Sequence, residues 1–354
     1  MGLLPLQLNN IIYFCATRGW LVRFQYRNSQ GSQSKAHMKV IEHLSNAKDT
    51  LVSFEVLPPL KGKTISYIYE HLDPLMEFKP SWINVTYHRS ETIVRKKEDG
   101  TDEKIDVRKR PGTVGICAAI MNHYNIDAVP HIICGGFSKR ETEDALIDLQ
   151  FLGIDNLLVL RGDAEKNQKT FIPEPNGNKQ AIELLQQVVG LNNGDYLDKD
   201  IINGSKTNFC MGVAGYPEKH FEAPSMEFDL QRAKAKVDAG AEYIMTQMFF
   251  DNKKYFDYVD ACRSIGINVP IIPGLKPITN KKQLTILPNI FYVDIPTDLS
   301  SAMLAATTDA ACEQVGTEWL IQQSKELKAA GVPVLHYYTL GKPQVVKDVV
   351  AAVF

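Results

Sequence analysis

The stretch AVPHIICGGFSKRETEDALIDLQFLGIDNLLVLRG (128–162) contains one complete strand–helix–strand unit. Its two ends, AVPHIIC (128–134) and NLLVLRG (156–162), are mainly apolar and do not alternate, which is typical of strands covered on both faces. Between them, Ser138 stands three residues before Glu141, which is the spacing of a helix capping box. We therefore predict a βαβ unit whose first turn is a helix cap and not a phosphate-binding loop.

The same unit repeats along the chain from residue 51 onward. Strands are predicted at 51–57, 81–87, 128–134, 156–162, 209–215, 243–250, 269–275 and 332–340. Helices are predicted at 64–78, 112–124, 138–152, 178–190, 227–240, 252–266, 280–287, 300–330 and 342–353. This alternation favours a single (β/α)8 TIM barrel, since no strand is followed by the Gly-x-Gly-x-x-Gly of a doubly wound dinucleotide fold.

Composition indicates a globular protein that acts on small molecules. Of the 354 residues 44% are hydrophobic and 23% charged, and the net charge of −2 argues against nucleic-acid or anionic-membrane partners. The six cysteines form no Cys-x-x-Cys pair, so we expect no metal site, no disulfide framework and a reducing cytoplasmic location. No apolar run reaches the roughly 18 residues that a transmembrane helix needs.

The first 37 residues differ from the rest of the chain. They contain no Asp or Glu and show no lasting helical or strand period, which is compatible with a targeting peptide. Met38, however, opens a segment that predicts a short amphipathic helix followed by a strand. We interpret 1–37 as a disordered extension or a misassigned start, and 38–354 as one catalytic domain.

Two segments lengthen strand-to-helix loops, on the side of a barrel where active sites are built. Residues 88–111 are highly charged and follow the second predicted strand, while 163–177 follow the fourth. We interpret the first segment as a solvated mobile loop, with a lid over a ligand as the alternative.

Polar residues lie where apolar strands should end. Glu55 is flanked by Phe54 and Val56, and a carboxyl in such surroundings keeps its proton and suits a general acid, unless it simply reaches water. Asp163 ends LLVLRGD, where the abrupt change from apolar residues to Arg161 favours a functional role over a surface ion pair.

Other polar side chains in the strands allow two interpretations each. His131 in VPHIIC could be a ligand-binding group or a satisfied core residue. The amide of Gln247 could bind the edge of a heterocycle or the backbone. The rings of Tyr87, Tyr216 and Tyr338 could stack on a ligand or pack in the core.

Taken together and in order, these segments resemble the methylenetetrahydrofolate reductase family, in its bacterial-type catalytic domain, from Met38 to Phe354. The segments are SFEVLPP, INVTYH, VPHIIC, VLRGD, GYPEKHFEA, KVDAGAEYIMTQMFFD, PGLKPIT and LHYYTLGK. The resemblance implies a homo-oligomeric (β/α)8 barrel that binds FAD. It also implies a ping-pong reaction in which NAD(P)H reduces the flavin and 5,10-methylenetetrahydrofolate is then reduced to 5-methyltetrahydrofolate, for methionine synthesis.

The same resemblance implies roles for individual residues. Glu55 matches the general acid, and Asp163 matches an aspartate beside the flavin that stabilises the cationic folate. Positions associated with FAD are Thr86, Tyr87, His131, Arg161, Gly162, Asp163, Tyr216, His220, Ala223, Asp229 and Lys236. Positions associated with the folate are Gln247, Gln283, Tyr338 and Lys342.

Several positions depart from the family pattern. Lys342 stands where an arginine is common, and it keeps the charge but loses the bidentate fork. The others are Arg89, Ile133, Ala235 and Leu287. Two alternative functions stay open: a barrel enzyme without flavin, and a flavin- or folate-binding subunit that needs a separate electron-donor protein.

Overall fold

The computed structural model describes residues 37–164, 168 and 170–354 of the chain, and ten strands lie within them. They are β1 (Leu51–Val56), β2 (Trp82–Val85), β3 (Glu91–Lys96), β4 (Asp102–Val107), β5 (Asp127–Ile133), β6 (Asn156–Leu160), β7 (Cys210–Gly215), β8 (Tyr243–Met248), β9 (Ile271–Leu275) and β10 (Val334–Tyr338). Eight of them form a closed barrel in the order β1–β10–β9–β8–β7–β6–β5–β2, and every neighbouring pair for which a register is resolved is parallel. The TIM-barrel prediction is confirmed.

Helices connect these strands. They are α1 (Val40–Asn46), α2 (Ser66–Leu72), α3 (Thr113–Tyr124), α4 (Lys139–Phe151), α5 (Ala181–Asn193), α6 (Met226–Asp238), α7 (Asn252–Ser264), α8 (Gln283–Phe291), α9 (Thr297–Ala305), α10 (Asp309–Ala329) and α11 (Pro343–Val353). The predicted capping box is present, because Ser138 Oγ accepts from the Glu141 backbone N–H and Glu141 Oε2 accepts from the Ser138 backbone N–H.

Two predicted helices need correction. The segment 64–78 divides into α2 and a 3-10 helix, Asp73–Phe78. The α-helix cannot continue because a proline occupies the first turn of the 3-10 helix. The segment 300–330 is two helices, α9 and α10. The break is at Ala306, whose backbone is extended, and Thr308 begins α10 by accepting a hydrogen bond from the Ala311 backbone N–H.

The interpretation of 88–111 as a solvated loop also needs correction, because β3 and β4 form an antiparallel hairpin there. Its turn contains Gly100 at φ +84°, and the Lys97 backbone N–H donates to Thr101 at 2.8 Å. The Asp99–Gly100 pair is the turn signal that predicts such a hairpin, and the sequence interpretation overlooked it.

The inside of the barrel has two layers. At the N-terminal end of the strands, apolar side chains such as Trp82, Tyr243 and Ile272 pack together with Val40 of α1. Toward the C-terminal ends, the buried residues are polar: Ser53, Glu55, Asn84, His131 and His336. The apolar layer closes one end of the barrel, and the polar layer forms the floor of the other end.

Asp127 fastens α1 to the closed end. Its carboxylate accepts hydrogen bonds from the Met38 backbone N–H at 3.2 Å and contacts His43 Nε2 at 2.6 Å and His37 Nδ1 at 2.9 Å. The hypothesis that residues 1–37 are an extension or a misassigned start concerns residues almost all outside those described.

We expect Asp127→Ala to destabilise the barrel by roughly 2–4 kcal/mol, because buried His43 and the Met38 N–H would lose their partner. Urea denaturation would measure the change, with exposed Asp49→Ala as the control. An unchanged free energy of unfolding would show that α1 is held by apolar packing alone.

Candidate active site

Glu55 lies near the C-terminal end of β1 and is only 7% exposed. Its Oε2 atom is 3.4 Å from His131 Nε2 on β5 and 3.9 Å from His336 Nε2 on β10. Burial raises the pKa of Glu55, and the smaller attraction to His131 lowers it. The carboxyl therefore retains its proton at a higher pH than an exposed glutamate does.

The two imidazoles beside Glu55 are neutral near pH 7. Burial lowers the pKa of His131 to about 4 and that of His336 to about 3. Neither histidine forms an ion pair with Glu55 at neutral pH, despite their proximity. Because an uncharged neighbour does not favour a carboxylate as an imidazolium would, the surroundings preserve the protonated form of Glu55.

Hydrogen bonds fix both imidazoles in place. His336 Nδ1 is 2.8 Å from Ser53 Oγ, and these two residues are register partners across β1 and β10. His131 Nε2 is 3.2 Å from Asn84 Nδ2 on β2. His336 Nε2, by contrast, is buried with no hydrogen-bond partner in the described chain, although it faces the Glu55 carboxyl.

Tyr338 lies opposite Glu55 in the register of β1 and β10. Its hydroxyl donates to the backbone carbonyl of Thr246 on β8 at 2.7 Å, crossing the intervening strand β9. Gly274 makes that crossing possible, because a Cβ there would be 2.2 Å from the Tyr338 hydroxyl oxygen. The tyrosine ring is therefore held rigidly beside the acid.

Asp163 is exposed just beyond β6, at the same C-terminal end of the barrel as Glu55. Arg161, near it, pairs with Glu222, with Nη2 donating to Oε1 at 3.0 Å. Gly162 adopts φ +84°, and a Cβ there would be 3.2 Å from Cδ1 of Ile133. The departure at Ile133 thus fills the space beside this glycine.

The end of β7 is organised by an aspartate and a lysine from α6. Asp229 accepts a hydrogen bond from the His220 backbone N–H at 3.0 Å, and the rings of His220 and Tyr216 meet edge to face at 4.7 Å. Lys236 Nζ donates to the carbonyl of Ala214 at 2.7 Å. Burial lowers the pKa of Lys236 to about 8, although nearby Asp229 opposes the shift.

Past β2, the Tyr87 ring lies 5.0 Å from that of Phe137 and 5.5 Å from the Arg108 guanidinium. Arg89, another departure, lies over the turn that follows β5, where a Cβ at Gly135 would be 3.3 Å from its Cδ. The root of the β3–β4 hairpin is therefore packed against the predicted flavin side of the rim.

The predicted folate residues occupy the other side. Gln247 Oε1 accepts from the Met248 backbone N–H at 2.9 Å, and Gln283 Oε1 accepts from the Thr279 backbone N–H at 2.6 Å. Lys342 is exposed and pairs with Glu313 of α10 at 2.8 Å. Its folate contact, like the other site assignments, stays a prediction.

The residues at the ends of β2, β6 and β7 fit a flavin dinucleotide. The Thr86 hydroxyl oxygen is buried and has no hydrogen-bond partner among the described residues, so it is available to a ligand. Ala223 is buried, and its carbonyl is bound by Lys219 Nζ at 2.6 Å. If a flavin dinucleotide is bound here, Arg161 and Lys236 would supply cations for its pyrophosphate, and Thr86 would supply a hydroxyl for its ribityl chain.

The described part of the chain contains no group of three or more His, Cys, Asp or Glu residues arranged to hold a metal ion. None of its helices combines the length and apolar character needed to cross a membrane.

A sequence profile described as "Methylenetetrahydrofolate reductase" matches residues 39–353. The chain belongs to this family. The 5,10-methylenetetrahydrofolate reductase of Salmonella typhimurium is 30% identical over 294 residues, which cover 83% of this chain and 87% of that protein. Methylenetetrahydrofolate reductase (NADH) 1 of Arabidopsis thaliana is 29% identical over 316 residues, which cover 86% of this chain and 48% of that protein.

The chain thus spans about half the length of the plant members of the family that it matches. Among solved structures, an uncharacterized protein from Clostridium thermocellum that binds two copies of 5-methyl-5,6,7,8-tetrahydrofolic acid superposes with a TM-score of 0.51. The identity is 14%, and the match covers 88% of this chain and 97% of that chain. At this identity the likeness shows the fold alone.

Sequence reasoning missed four buried polar residues near the site. They are Ser53, Asn84, Lys276 and His336. Ser53, Asn84 and His336 could have been found, because each stands two residues before a candidate site residue (Glu55, Thr86 and Tyr338), and alternate residues of a strand share a face. Lys276 gave no such signal.

Proposed function

We propose that this chain reduces 5,10-methylenetetrahydrofolate to 5-methyltetrahydrofolate, with NAD(P)H as hydride donor, bound FAD as carrier and a ping-pong cycle. The observation that supports the proposal is Glu55, a buried carboxyl with a raised pKa between two neutral imidazoles at the barrel mouth. The proposal includes a cytoplasmic homo-oligomer whose product serves methionine synthesis.

The chemistry requires a proton before a hydride. In the proposed reaction Glu55 protonates the folate, which opens its five-membered ring to an electrophilic iminium. FAD bound here would take hydride from the nicotinamide and deliver it to that carbon. Asp163, exposed at the same rim, supplies a negative charge that stabilises the cationic folate.

The residues proposed to hold the flavin form one side of the mouth. They are Thr86, Tyr87, His131, Arg161, Gly162, Tyr216, His220, Ala223, Asp229 and Lys236, with Asp163 beside the ring. The proposed folate residues Gln247, Gln283 and Tyr338 lie on β8, α8 and β10, so the two ligands meet near Glu55. His131 contacts Glu55 directly and thus joins the two sides.

Stopped-flow spectroscopy of the purified protein tests this function against its alternatives. We expect a yellow protein absorbing near 450 nm, the band of oxidised flavin, bleached by NADH or NADPH and reoxidised by methylenetetrahydrofolate. A colourless protein that cannot bind FAD would favour a barrel enzyme without flavin. FAD binding without reduction by either nicotinamide would favour a subunit with a separate electron donor.

Asp163→Asn should slow reoxidation by the folate roughly tenfold or more, because a neutral amide cannot offset the cationic charge as a carboxylate does. FAD content and flavin reduction should stay close to wild type. Exposed Asp144→Asn on α4 is the matched control. Unchanged reoxidation in Asp163→Asn would remove this residue from the mechanism.

A further inference from the structure

Lys276 follows β9 directly and is buried at the C-terminal end of the barrel, with 7% exposure. The hydrogen bond found for its ammonium is a long one, 3.4 Å, to the carbonyl of the adjacent Pro277. Burial alone lowers the pKa of Lys276 to about 8, with no contribution from a neighbouring charge in the described chain. Among the residues that the structure describes, the Lys276 ammonium therefore has no anionic partner.

The register places Lys276 at the height of the proposed acid. Leu275 pairs with Tyr337, and the following residue, Tyr338, pairs with Glu55. Neighbouring strands are about 4.8 Å apart, so the backbone of Lys276 is roughly 10 Å from that of Glu55. The flexible lysine side chain can span more than half of that distance.

The alternation along β9 indicates which side the lysine faces. Ile272 belongs to the apolar cluster inside the barrel, and Gly274 faces Tyr338, whereas Leu275 packs in the outer core between strands and helices. Lys276 is two residues after Gly274 and four after Ile272, and alternate residues of a strand face the same side, so Lys276 belongs to the inner face. Its position is therefore at the mouth and not among the surrounding helices.

An unpaired buried ammonium is strongly destabilising, and proteins offset this penalty with a partner. The residues proposed for FAD lie at the ends of β2, β5, β6 and β7, whereas Lys276 adjoins the β8 and β10 residues proposed for the folate. The acceptors of the folate include the carbonyl oxygen of its pterin ring at one end and, toward the other end, the amide carbonyl and the carboxylates of its glutamate tail.

We propose that Lys276 is a substrate-binding residue whose ammonium donates a hydrogen bond to the carbonyl oxygen of the pterin ring. The proposal rests on the folate-reducing function above. The ring is favoured over the tail because Lys276 is level with Glu55, which must reach a ring nitrogen, while the tail has to leave through the open mouth. The ammonium thereby holds the ring in register with the acid.

The test compares Lys276→Met, a neutral side chain of similar length, with the wild-type holoenzyme. Calorimetry should show that 5-methyltetrahydrofolate binds at least about tenfold more weakly to the variant, the effect of losing a hydrogen bond to a charged group. Its melting temperature should be equal or higher, because an unpaired buried charge has been removed. FAD content should not change, because the residues proposed to hold the flavin lie on the other side of the mouth.

Three comparisons make the result specific. Exposed Lys282→Met should bind the folate as wild type does, and Lys276→Gln serves if methionine packs poorly. With 5-methyltetrahydropteroate, which lacks the glutamate, the loss in Lys276→Met should be the same; a loss confined to the glutamate-bearing ligand would overturn the ring assignment.

Unchanged folate affinity in both Lys276 variants, or loss of FAD from them, would overturn the proposal. Wild-type protein that fails to bind either folate would instead refute the proposed function itself. The two failures are thus distinguishable, since the first requires a wild type that binds.

Discussion

Glu55→Gln is expected to abolish turnover of methylenetetrahydrofolate while flavin reduction by the nicotinamide stays nearly intact. Glutamine keeps the shape of the side chain and its contacts with His131 and His336, but it has no acidic proton to give. Reoxidation of the flavin by the folate should therefore fall by at least about 10³-fold, within the range of general-acid catalysis.

The pH dependence gives a second measurement of the same role. Because burial raises the pKa of Glu55, the acid form predominates below that pKa, and the folate half-reaction should slow as the pH rises through it. The nicotinamide half-reaction should not share this dependence. Exposed Glu98→Gln in the hairpin turn is the control. Equal losses in both half-reactions of Glu55→Gln would contradict the assignment.

Gly316→Ala should cause the largest loss of stability among single methyl additions to helices. In α10, a Cβ at this position would lie 1.6 Å from the carbonyl oxygen and 2.7 Å from the carbonyl carbon of Ile278. Backbone cannot turn away as a side chain can, so the helix or the segment after β9 must move. We expect a cost of roughly 3 kcal/mol or more in the free energy of unfolding.

Denaturation with urea at saturating FAD would measure this loss. Gly115→Ala in α3 is the matched control, since a Cβ there meets nothing within 4 Å, and alanine should stabilise that helix by about 0.5–1 kcal/mol. Ile278 lies between Lys276 and Gln283, so Gly316→Ala should also weaken folate binding. Equal stability of the two alanine variants would show that α10 is not packed against this segment.

The spacing of apolar residues in the sequence predicted the barrel. A strand covered on both faces is apolar throughout, a helix covered on one face shows a helical period, and the two kinds of segment alternate along the chain. It also predicted which polar residues end the strands, since parallel strands in a barrel share one C-terminal rim. Glu55 and Asp163 could be assigned to the same rim on that basis, although 108 positions separate them in the sequence.

What the sequence did not reveal depends on contacts between distant segments. The salt bridge between Lys342 and Glu313 joins the start of α11 to the start of α10, and no local sequence pattern predicts it. The neutral state of His336 follows from complete burial, which becomes visible only once the barrel closes around it. The β3–β4 hairpin was missed for another reason: its charges resemble those of a solvated loop, and its exposed strands bury little.

The two layers inside the barrel limit the routes by which Glu55 can regain a proton in the proposed reaction. Trp82, Tyr243 and Ile272 seal the lumen below the site, and all three have no exposed surface. The lumen offers no open path from Glu55 to solvent through this layer, so in the proposed reaction each proton that Glu55 gives up must return from the side at which ligands enter. Reprotonation of Glu55 is thereby coupled to the exchange of ligands. A tightly bound folate should delay reprotonation, and release of the folate should permit it.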